Sequence, residues 1–278
     1  MRKLLFIAVL ATAFGSYALA QDQQKIRIAT EGAYAPWNFT EGGKLAGFDI
    51  DLVNDLCARM KAECTIEAQN FDGLIPSLNA GKFDAIVAAM NSTPKRKEAI
   101  AFSRPYAVEP VGMVAPKDSP VASVADTGKK VSLSSSQDAA QTALSDIKQK
   151  LAGKTVGVMG STAFATFVDK YLKDAVTVRE YKTTEELDLD LSAGRIDAAF
   201  NGSAAIAATL AKPGYENFMQ TGPLFSGDVL GDGFAAGIRK EDRELKAKFD
   251  QAIGDALADG TIKALSEKWI KADLSPAN

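Results

Sequence analysis

The sequence predicts an α/β protein built as two similar lobes, and two observations lead to that prediction. Strand-like and helix-like segments alternate along the chain, which is typical of parallel strands covered by helices. The segment LNAGKFDAIVA at 78–88 is also echoed by LSAGRIDAAFN at 191–201. In each segment a helix ends at Ala-Gly, a basic residue follows, and an Asp-Ala pair lies in the next strand. The shared order favours duplication or a common architecture over chance helix stops.

The first twenty residues, MRKLLFIAVLATAFGSYALA, have the pattern of a secretory signal peptide. A cationic start precedes an apolar run at 4–14 and an Ala-Leu-Ala site, so we expect cleavage after Ala20. The alternative, an N-terminal anchor helix, is disfavoured because the apolar run is too short to span a bilayer. We therefore expect an exported protein, and residues 1–20 are left out of the fold prediction.

The remaining 258 residues are mildly acidic, since the formal charge falls from −3 to −5 when the two positive charges of the first twenty residues are removed. No run of Lys and Arg is present, so nucleic acid is not a predicted partner. The length is sufficient for two domains. The chain contains no histidine, which excludes Ser-His and Cys-His catalytic pairs.

Cys57 and Cys64 are the two cysteines of the chain. Export to an oxidising compartment makes a disulfide between them the expected state. A metal site would need further thiol or imidazole ligands, which the sequence lacks. No metal and no cofactor are predicted.

The first half of the chain begins the α/β alternation. Strands are predicted at 25–30, 64–69 and 83–90. A helix is predicted within 46–62, where apolar residues recur at helical spacing, and a shorter helix ends at Gly81.

The second half continues the alternation with a strand at 155–159 that runs into a glycine-bearing turn, a fainter echo of residues 26–34. Between the halves, residues 115–154 are rich in Ser, Ala, Lys and Asp, and a helix capped by Ser136 is predicted over 137–151. A glycine-rich strand and two amphipathic helices, whose apolar spacing indicates core packing, complete the chain.

Several of these segments together resemble a known family. GFDIDLVNDLCARM, FDGLIPSLNAGKFDAI, STPKRKEAIAFSRPY, AGRIDAAF and GIRKEDRELKAKFDQAI look like the periplasmic solute-binding proteins of polar amino-acid ABC importers. The match covers nearly the whole chain after the signal peptide. It is most similar to the lysine/arginine/ornithine and histidine binders, including their Cys-x6-Cys pair. The insertion at 118–150 and the final LSPAN are more similar to the octopine/nopaline branch.

The resemblance implies a type II two-lobe binding-protein fold, in which each lobe is a mixed sheet flanked by helices and two strands form the hinge. Lobe one would comprise residues 25–111 and 234–278, and lobe two residues 112–233, elaborated at 118–150. Ligand would be trapped by hinge closure. The resemblance also implies a periplasmic location, a membrane permease as partner and a monomeric state.

Arg96 is the leading candidate for ligand binding. Ligands of open α/β sheets bind beyond the carboxyl ends of strands, and residues 91–96 follow the predicted strand at 83–90. A guanidinium offers the planar fork that a carboxylate accepts in two hydrogen bonds. By resemblance, Thr162 is the counterpart in lobe two, and Met159, at the end of the preceding strand, is a further candidate ligand contact. A plain N-cap role for Thr162 or Ser161 is the alternative, and both roles can hold at once.

By resemblance, Glu31, Tyr34 and Phe71 surround the side-chain end of the ligand. Glu31 would meet the distal cation of a basic ligand. The two aromatic rings would sandwich an alkyl or guanidinium group, because aromatic faces attract cations. Trp37 either lines the mouth of the site or is a packed loop residue.

The chain departs from the family pattern at four positions. Two family serines fall at Ala88 and Ala89, and a third falls at Asn91. The aspartate that the family uses for the ligand α-ammonium falls at Gly202. A buried charge without a partner is costly, and small Ala88 and Gly202 are expected to leave room.

A ligand whose α-nitrogen is substituted, as in an opine, fits both the missing aspartate and the room expected at Ala88 and Gly202. Asn91, Asn201 and Ser203 would then serve a second carboxylate or a carbonyl. The alternative is a free cationic amino acid, with Asn201 or a water in place of the aspartate. A periplasmic dehydratase-type enzyme on the same scaffold is a further alternative, in which a carboxylate such as Glu31 would act as acid or base. Binding without catalysis is the expected function.

Overall fold

The computed structural model describes residues 23–276, so the predicted signal peptide lies outside the described residues. The strands, in chain order, are β1 (Lys25–Thr30), β2 (Ala33–Tyr34), β3 (Asn38–Glu41), β4 (Lys44–Ala46), β5 (Glu63–Ala68), β6 (Ala85–Ile86), β7 (Ala101–Phe102), β8 (Val111–Pro116), β9 (Lys130–Ser132), β10 (Thr155–Met159), β11 (Thr177–Tyr181), β12 (Ala198–Gly202), β13 (Phe218–Ser226) and β14 (Gly237–Ile238).

The helices, in chain order, are α1 (Phe48–Met60), α2 (Leu74–Asn79), α3 (Pro94–Ala99), α4 (Gln137–Leu151), α5 (Ala163–Tyr171), α6 (Thr184–Ser192), α7 (Ser203–Leu210), α8 (Arg243–Ala258) and α9 (Thr261–Trp269). Short 3₁₀ turns cover Phe71–Gly73, Pro120–Ser123 and Asp228–Leu230. Within residues 23–276, no helix is both long and apolar enough to cross a membrane.

Two sheets define the two lobes. The first has the order β5-β1-β6-β14-β7, and the second has the order β11-β10-β12-β8-β13-β9. In the first sheet β1 runs parallel to β5 and β6, whereas β14, which enters from the end of the chain, is antiparallel. A small sheet of β2, β3 and β4 adjoins the first lobe. The predicted fold class, two lobes of mixed sheet flanked by helices, is confirmed.

The chain passes between the lobes twice, and the two passages lie side by side. The outgoing passage follows Ala107 and leads into β8, and the returning passage reaches Phe234 after β13. Phe234 forms antiparallel bridges to both Ala107 and Asn91. The returning passage therefore pairs with the outgoing passage at Ala107 and with Asn91, five residues before Arg96.

Helix α1 shows why these residues fold as predicted. Its apolar positions lie on one face, and Phe48, Leu52 and Leu56 are each no more than 1% exposed in the core. The predicted disulfide is confirmed, because Cys57 near the end of this helix is bonded to Cys64 in β5. The covalent bond fixes the helix against the edge strand of the first sheet.

The predicted strand at 83–90 is much shorter than expected, since only Ala85–Ile86 pair as a strand. Ala89 adopts a left-handed conformation with φ 45°, which a residue with a side chain rarely takes and which interrupts the ladder. Beyond it, the Met90 carbonyl accepts a hydrogen bond from the Ala235 amide at 3.1 Å. The apolar run thus leaves the sheet early and turns towards the other lobe.

The segment at 118–150 joins the second sheet. Its strand β9 runs parallel to β13 at the sheet edge, and helix α4 covers the predicted span Gln137–Leu151. Ser136 is the N-cap residue as predicted, but its side chain makes no capping hydrogen bond. The helix is held by its buried face, which includes Leu144, Ile147 and Leu151.

Candidate functional site

A small cavity lies between the two lobes, where β1 and the segment after β6 face the end of β10. Its volume is about 20 Å³, room for roughly one water molecule. It is lined by Glu31, Tyr34, Phe71, Ala88, Ala89, Asn91, Arg96, Met159, Thr162, Ala163, Phe164 and Asn201. Most of the candidate residues from the sequence are in this lining, but Gly202, Ser203 and Trp37 are not.

A wider cleft of about 650 Å³ adjoins the cavity. The two spaces share Phe71, Arg96, Thr162 and Ala163 in their walls. Arg96 therefore borders both spaces.

Arg96 reaches from lobe one to lobe two. The Thr93 hydroxyl caps the start of α3 by accepting from the Arg96 amide at 3.2 Å, which fixes the direction of the helix. The guanidinium donates from Nη1 to the Asn91 carbonyl and from Nη2 to the Ser161 carbonyl, both at 3.0 Å. It lies 5.2 Å from the centre of the Phe71 ring. Burial lowers the pKa of Arg96 to about 10, so the group is a cation at neutral pH.

Glu31 is a buried carboxylate, 7% exposed, at the end of β1. No Lys or Arg among residues 23–276 forms an ion pair with it. Burial and, to a smaller extent, the neighbouring Asp49 raise its pKa to about 7. A carboxylate in this position is stabilised by an incoming cation.

Asp49 is fully buried behind this part of the wall and is itself held by hydrogen bonds. The Tyr106 hydroxyl donates to Oδ1 at 2.9 Å, and the Asn38 amide donates to Oδ2 at 2.7 Å. Burial still raises the pKa of Asp49 to about 7, partly offset by these two donors. Its role is therefore to organise the loop around the site rather than to contact ligand.

Thr162 serves as the N-cap of α5. Its hydroxyl accepts from the Ala165 amide at 3.1 Å and lies 2.6 Å from the Met159 carbonyl, to which it donates its hydrogen. Thr162 therefore has the N-cap role that was predicted as its alternative, and its hydroxyl hydrogen is donated to the Met159 carbonyl. Ser161, with φ 61°, forms the sharp turn before it and offers its carbonyl to Arg96.

The two asparagines in the wall are also engaged with the protein. Asn91 donates its side-chain amide to the Leu230 carbonyl at 3.0 Å, which ties the site to the returning passage. The Asn201 carbonyl oxygen accepts from the Tyr34 hydroxyl at 3.1 Å and from the Gly202 amide at 2.9 Å. The contact between Tyr34 and Asn201 is a second hydrogen bond that joins the lobes.

Trp37 is fully buried and does not line the cavity. Its ring packs edge-on against Phe48 and Phe234, with ring centres 5.0 and 4.9 Å apart. Of the two roles considered for Trp37, the structure gives the packed loop residue.

Glu109 is a residue that sequence reasoning missed. It lies in the outgoing passage, 3% exposed, and its Oε1 accepts from the Ala204 amide at 2.7 Å at the start of α7. Its Oε2 is 3.3 Å from the Tyr34 hydroxyl. Burial raises the pKa of Glu109 to about 7, partly offset by the amide of Ala204. The available signal was an acidic residue inside the apolar run AVEPVGMVA.

Glu109 also corrects the expectation that Gly202 leaves free room. A Cβ built on Gly202 would lie 2.1 Å from Oε2 of Glu109 and 2.6 Å from the Tyr34 hydroxyl. The space beside Gly202 is filled by a carboxylate from the hinge. The premise that this region lacks an acidic group is therefore wrong.

Two lobes joined by paired passages, with polar groups of both lobes around an interlobe cavity, define a ligand-binding protein. The chain belongs to the bacterial extracellular solute-binding proteins, family 3, whose sequence model matches residues 26–272.

Individual relatives agree with this family. The chain is 46% identical to the octopine-binding periplasmic protein of Rhizobium meliloti, over 92% of this chain and 94% of that protein. It is 36% identical to the lysine/arginine/ornithine-binding periplasmic protein of Escherichia coli, over 94% and 92% of the two chains. An ancestral arginine-binding protein bound to arginine superposes with a TM-score of 0.74 at 29% identity, over 89% of this chain and 98% of that one. The predicted family is confirmed.

Proposed function

We propose that the protein is the periplasmic binding component of an ABC importer and captures a cationic amino acid or an opine. The observation that carries the proposal is the pairing of opposite charges around one interlobe cavity. The Arg96 guanidinium and the Glu31 carboxylate both line it, and Glu31 has no cationic partner in the described part of the chain. A ligand with a carboxylate and a distal cation satisfies both groups.

Arg96 is proposed to bind the ligand carboxylate. Of the five N–H donors of a guanidinium, two are used by the Asn91 and Ser161 carbonyls, and three are left for a ligand. Phe71 stacks near Arg96 and borders the outer cleft as well. Tyr34 and Phe71 are proposed to contact the apolar part of the ligand, with Ala88, Ala89 and Met159 as the small or flexible walls.

Closure of lobe two (112–233) onto lobe one (25–111 and 234–278) is proposed to trap the ligand. Two of the hydrogen bonds between the lobes, Arg96 to Ser161 and Tyr34 to Asn201, cross at the cavity and support a closed arrangement of these lobes. We further propose that the protein acts as a monomer after cleavage behind Ala20, because a membrane permease must be able to contact both lobes.

Two ligand classes fit the proposal, and different observations favour each. Similarity to the octopine-binding protein favours an opine, as does the 650 Å³ cleft next to Arg96. The carboxylate of Glu109 beside Gly202 removes the argument against a free cationic amino acid, because it supplies an acidic group where the sequence had indicated none. For an opine, Asn201 and Ser203 are proposed to contact the second carboxylate.

Isothermal titration of ligand-stripped protein with arginine, ornithine, lysine, octopine and nopaline tests the proposal, with glutamine as a neutral control. Tight binding of any cationic ligand and weak binding of glutamine are expected. Comparable binding of glutamine would remove the proposed role of Glu31. Recovery of each ligand unchanged after incubation distinguishes a binder from a dehydratase-type enzyme, for which the Glu31 carboxyl would be the acid or base.

A further inference from the structure

We propose that Glu109 is a second anionic contact for the ligand and recognises the nitrogen on its α-carbon, whether that nitrogen is a primary or a secondary ammonium. The inference rests on the proposed function, since it concerns the same interlobe site. It starts from a buried carboxylate in the hinge, which none of the sequence patterns had assigned to the site.

The hydrogen-bond donors around Glu109 are neutral groups. Oε1 accepts from the Ala204 amide and so caps α7, whose N-cap residue Gly202 has no side chain to do this. Oε2 faces the Tyr34 hydroxyl at 3.3 Å. That hydroxyl has one hydrogen and lies nearer to Asn201 Oδ1, at 3.1 Å. If Tyr34 donates to Asn201, the remaining donors beside the carboxylate are the Trp37 indole and the Ala205 amide, which lower its pKa but carry no charge.

A helix cap alone does not account for a charged residue here. Capping needs one acceptor oxygen, which a neutral side chain provides equally well. A carboxylate that is buried without a cation carries a free-energy cost, which is recovered when a cation arrives. No Lys or Arg among residues 23–276 forms an ion pair with Glu109, so the ligand is the natural source of that cation.

Glu109 lies directly behind the wall of the ligand cavity. Tyr34 lines the cavity, and its hydroxyl is 3.3 Å from Oε2 of Glu109 and 3.1 Å from Oδ1 of Asn201, which also lines it. Gly202 lets the carboxylate approach, because any side chain at 202 would begin 2.1 Å from Oε2. The backbone of Gly202 is extended, at φ −62° and ψ 145°, so glycine is needed there for space rather than for conformation.

Glu31 and Glu109 then form two separate anionic contacts for one ligand. The Tyr34 hydroxyl lies 3.3 Å from Glu109, and Tyr34 lines the cavity together with Glu31; the charges of both acids raise the pKa of Tyr34. With Arg96, the site presents one cationic and two anionic groups. This set matches a ligand with a carboxylate, an α-nitrogen and a distal cation, which is common to free basic amino acids and to their opine conjugates.

The test compares ligands with and without the α-nitrogen in two protein variants. The pairs are arginine with 5-guanidinopentanoate, and octopine with an analogue in which oxygen replaces the secondary amine. Glu109→Gln keeps an oxygen that can cap α7 but removes the charge. We expect it to reduce the preference for the nitrogen-bearing ligand by at least about 30-fold, while binding of the nitrogen-free ligand stays the same. Glu185→Gln, which removes an exposed carboxylate on α6, is the matched control.

Gly202→Ala provides a second route, because its added methyl displaces the Glu109 carboxylate without changing its charge. It is expected to reduce the same preference even if Glu109→Gln fails to fold. If both folded variants keep the full preference for the nitrogen-bearing ligand, the role of Glu109 is overturned and the proposed function stays intact. The same conclusion holds if Glu109→Gln does not fold and Gly202→Ala keeps the full preference. Wild-type protein that binds neither arginine nor octopine would instead refute the proposed ligand class, and the role of Glu109 with it.

Discussion

Replacement of Arg96 by alanine is expected to weaken binding of the cognate ligand by about 2–5 kcal/mol, or roughly 30- to 4,000-fold. Three N–H donors of the guanidinium are not used by the protein, so a carboxylate can accept two parallel hydrogen bonds. Hydrogen bonds to charged groups contribute about 1.5–3 kcal/mol each, which gives the same order for two of them. The loss of the Ser161 contact acts in the same direction, because it also removes an interlobe hydrogen bond.

Titration calorimetry with arginine and octopine measures this loss, and thermal melting checks that the variant is folded. Arg96→Lys separates charge from geometry, because an ammonium keeps the charge but not the planar fork, and it should bind with intermediate affinity. Arg195→Ala is the matched control, since Arg195 is exposed and pairs with Asp190 in lobe two. An unchanged isotherm for folded Arg96→Ala would show that the carboxylate is bound elsewhere.

Four further predictions concern the buried acids and the disulfide. Glu31→Gln should weaken arginine binding by at least tenfold, yet leave any weak glutamine binding unchanged; equal losses for both ligands by calorimetry would contradict a cation contact. Because Glu31 and Glu109 have a folded-state pKa raised to about 7, affinity for a cationic ligand should rise as pH increases from 6 to 8. Titrations in buffers of different ionisation enthalpy should then reveal proton release near pH 7, and a pH-independent affinity would argue against it. The same raised pKa values also affect stability. Between about pH 4.5 and pH 7 the folded protein keeps protons on these carboxyls that the unfolded chain has lost, so the free energy of unfolding should fall as the pH rises through this range. Urea unfolding without ligand at several pH values measures this fall. Replacing Cys57 and Cys64 by alanine should lower the free energy of unfolding by about 2–3 kcal/mol, the loop-closure value for so short a loop, and an unchanged urea midpoint would contradict this.

The position of Glu109 changes how ligand choice is understood. Glycine at 202 looked like the loss of an acidic contact, and that favoured a ligand with a substituted α-nitrogen. With a carboxylate 2.1 Å from the place of a Cβ at 202, the acidic group is present but comes from the hinge. The choice between an opine and a free amino acid then depends on how the 650 Å³ cleft beside Arg96 is used.

Local sequence patterns determined the helices and the lobe architecture. The apolar residues of α1 recur at helical spacing, so they form one face that is buried in the core. Helix α4 was predicted with its observed bounds because its apolar periodicity is continuous. The two echoed segments became the strands β6 and β12 at equivalent places in the two sheets. Arg96 was identifiable because it follows an apolar run directly, and in α/β folds that is where ligands bind.

The tertiary structure decided what these local patterns leave open. Residues 87–90 are as apolar as a strand, but the returning passage near Phe234 competes for their backbone and Ala89 turns out of the ladder. Glu109 is 93 residues away from Gly202 in sequence, so no local spacing relates the two residues. Their contact exists because the hinge passes beside the end of β12, and burial there gives an ordinary glutamate an unpaired charge. Sequence periodicity reports which face of an element is buried, whereas a site formed between lobes depends on which distant segments the chain brings together.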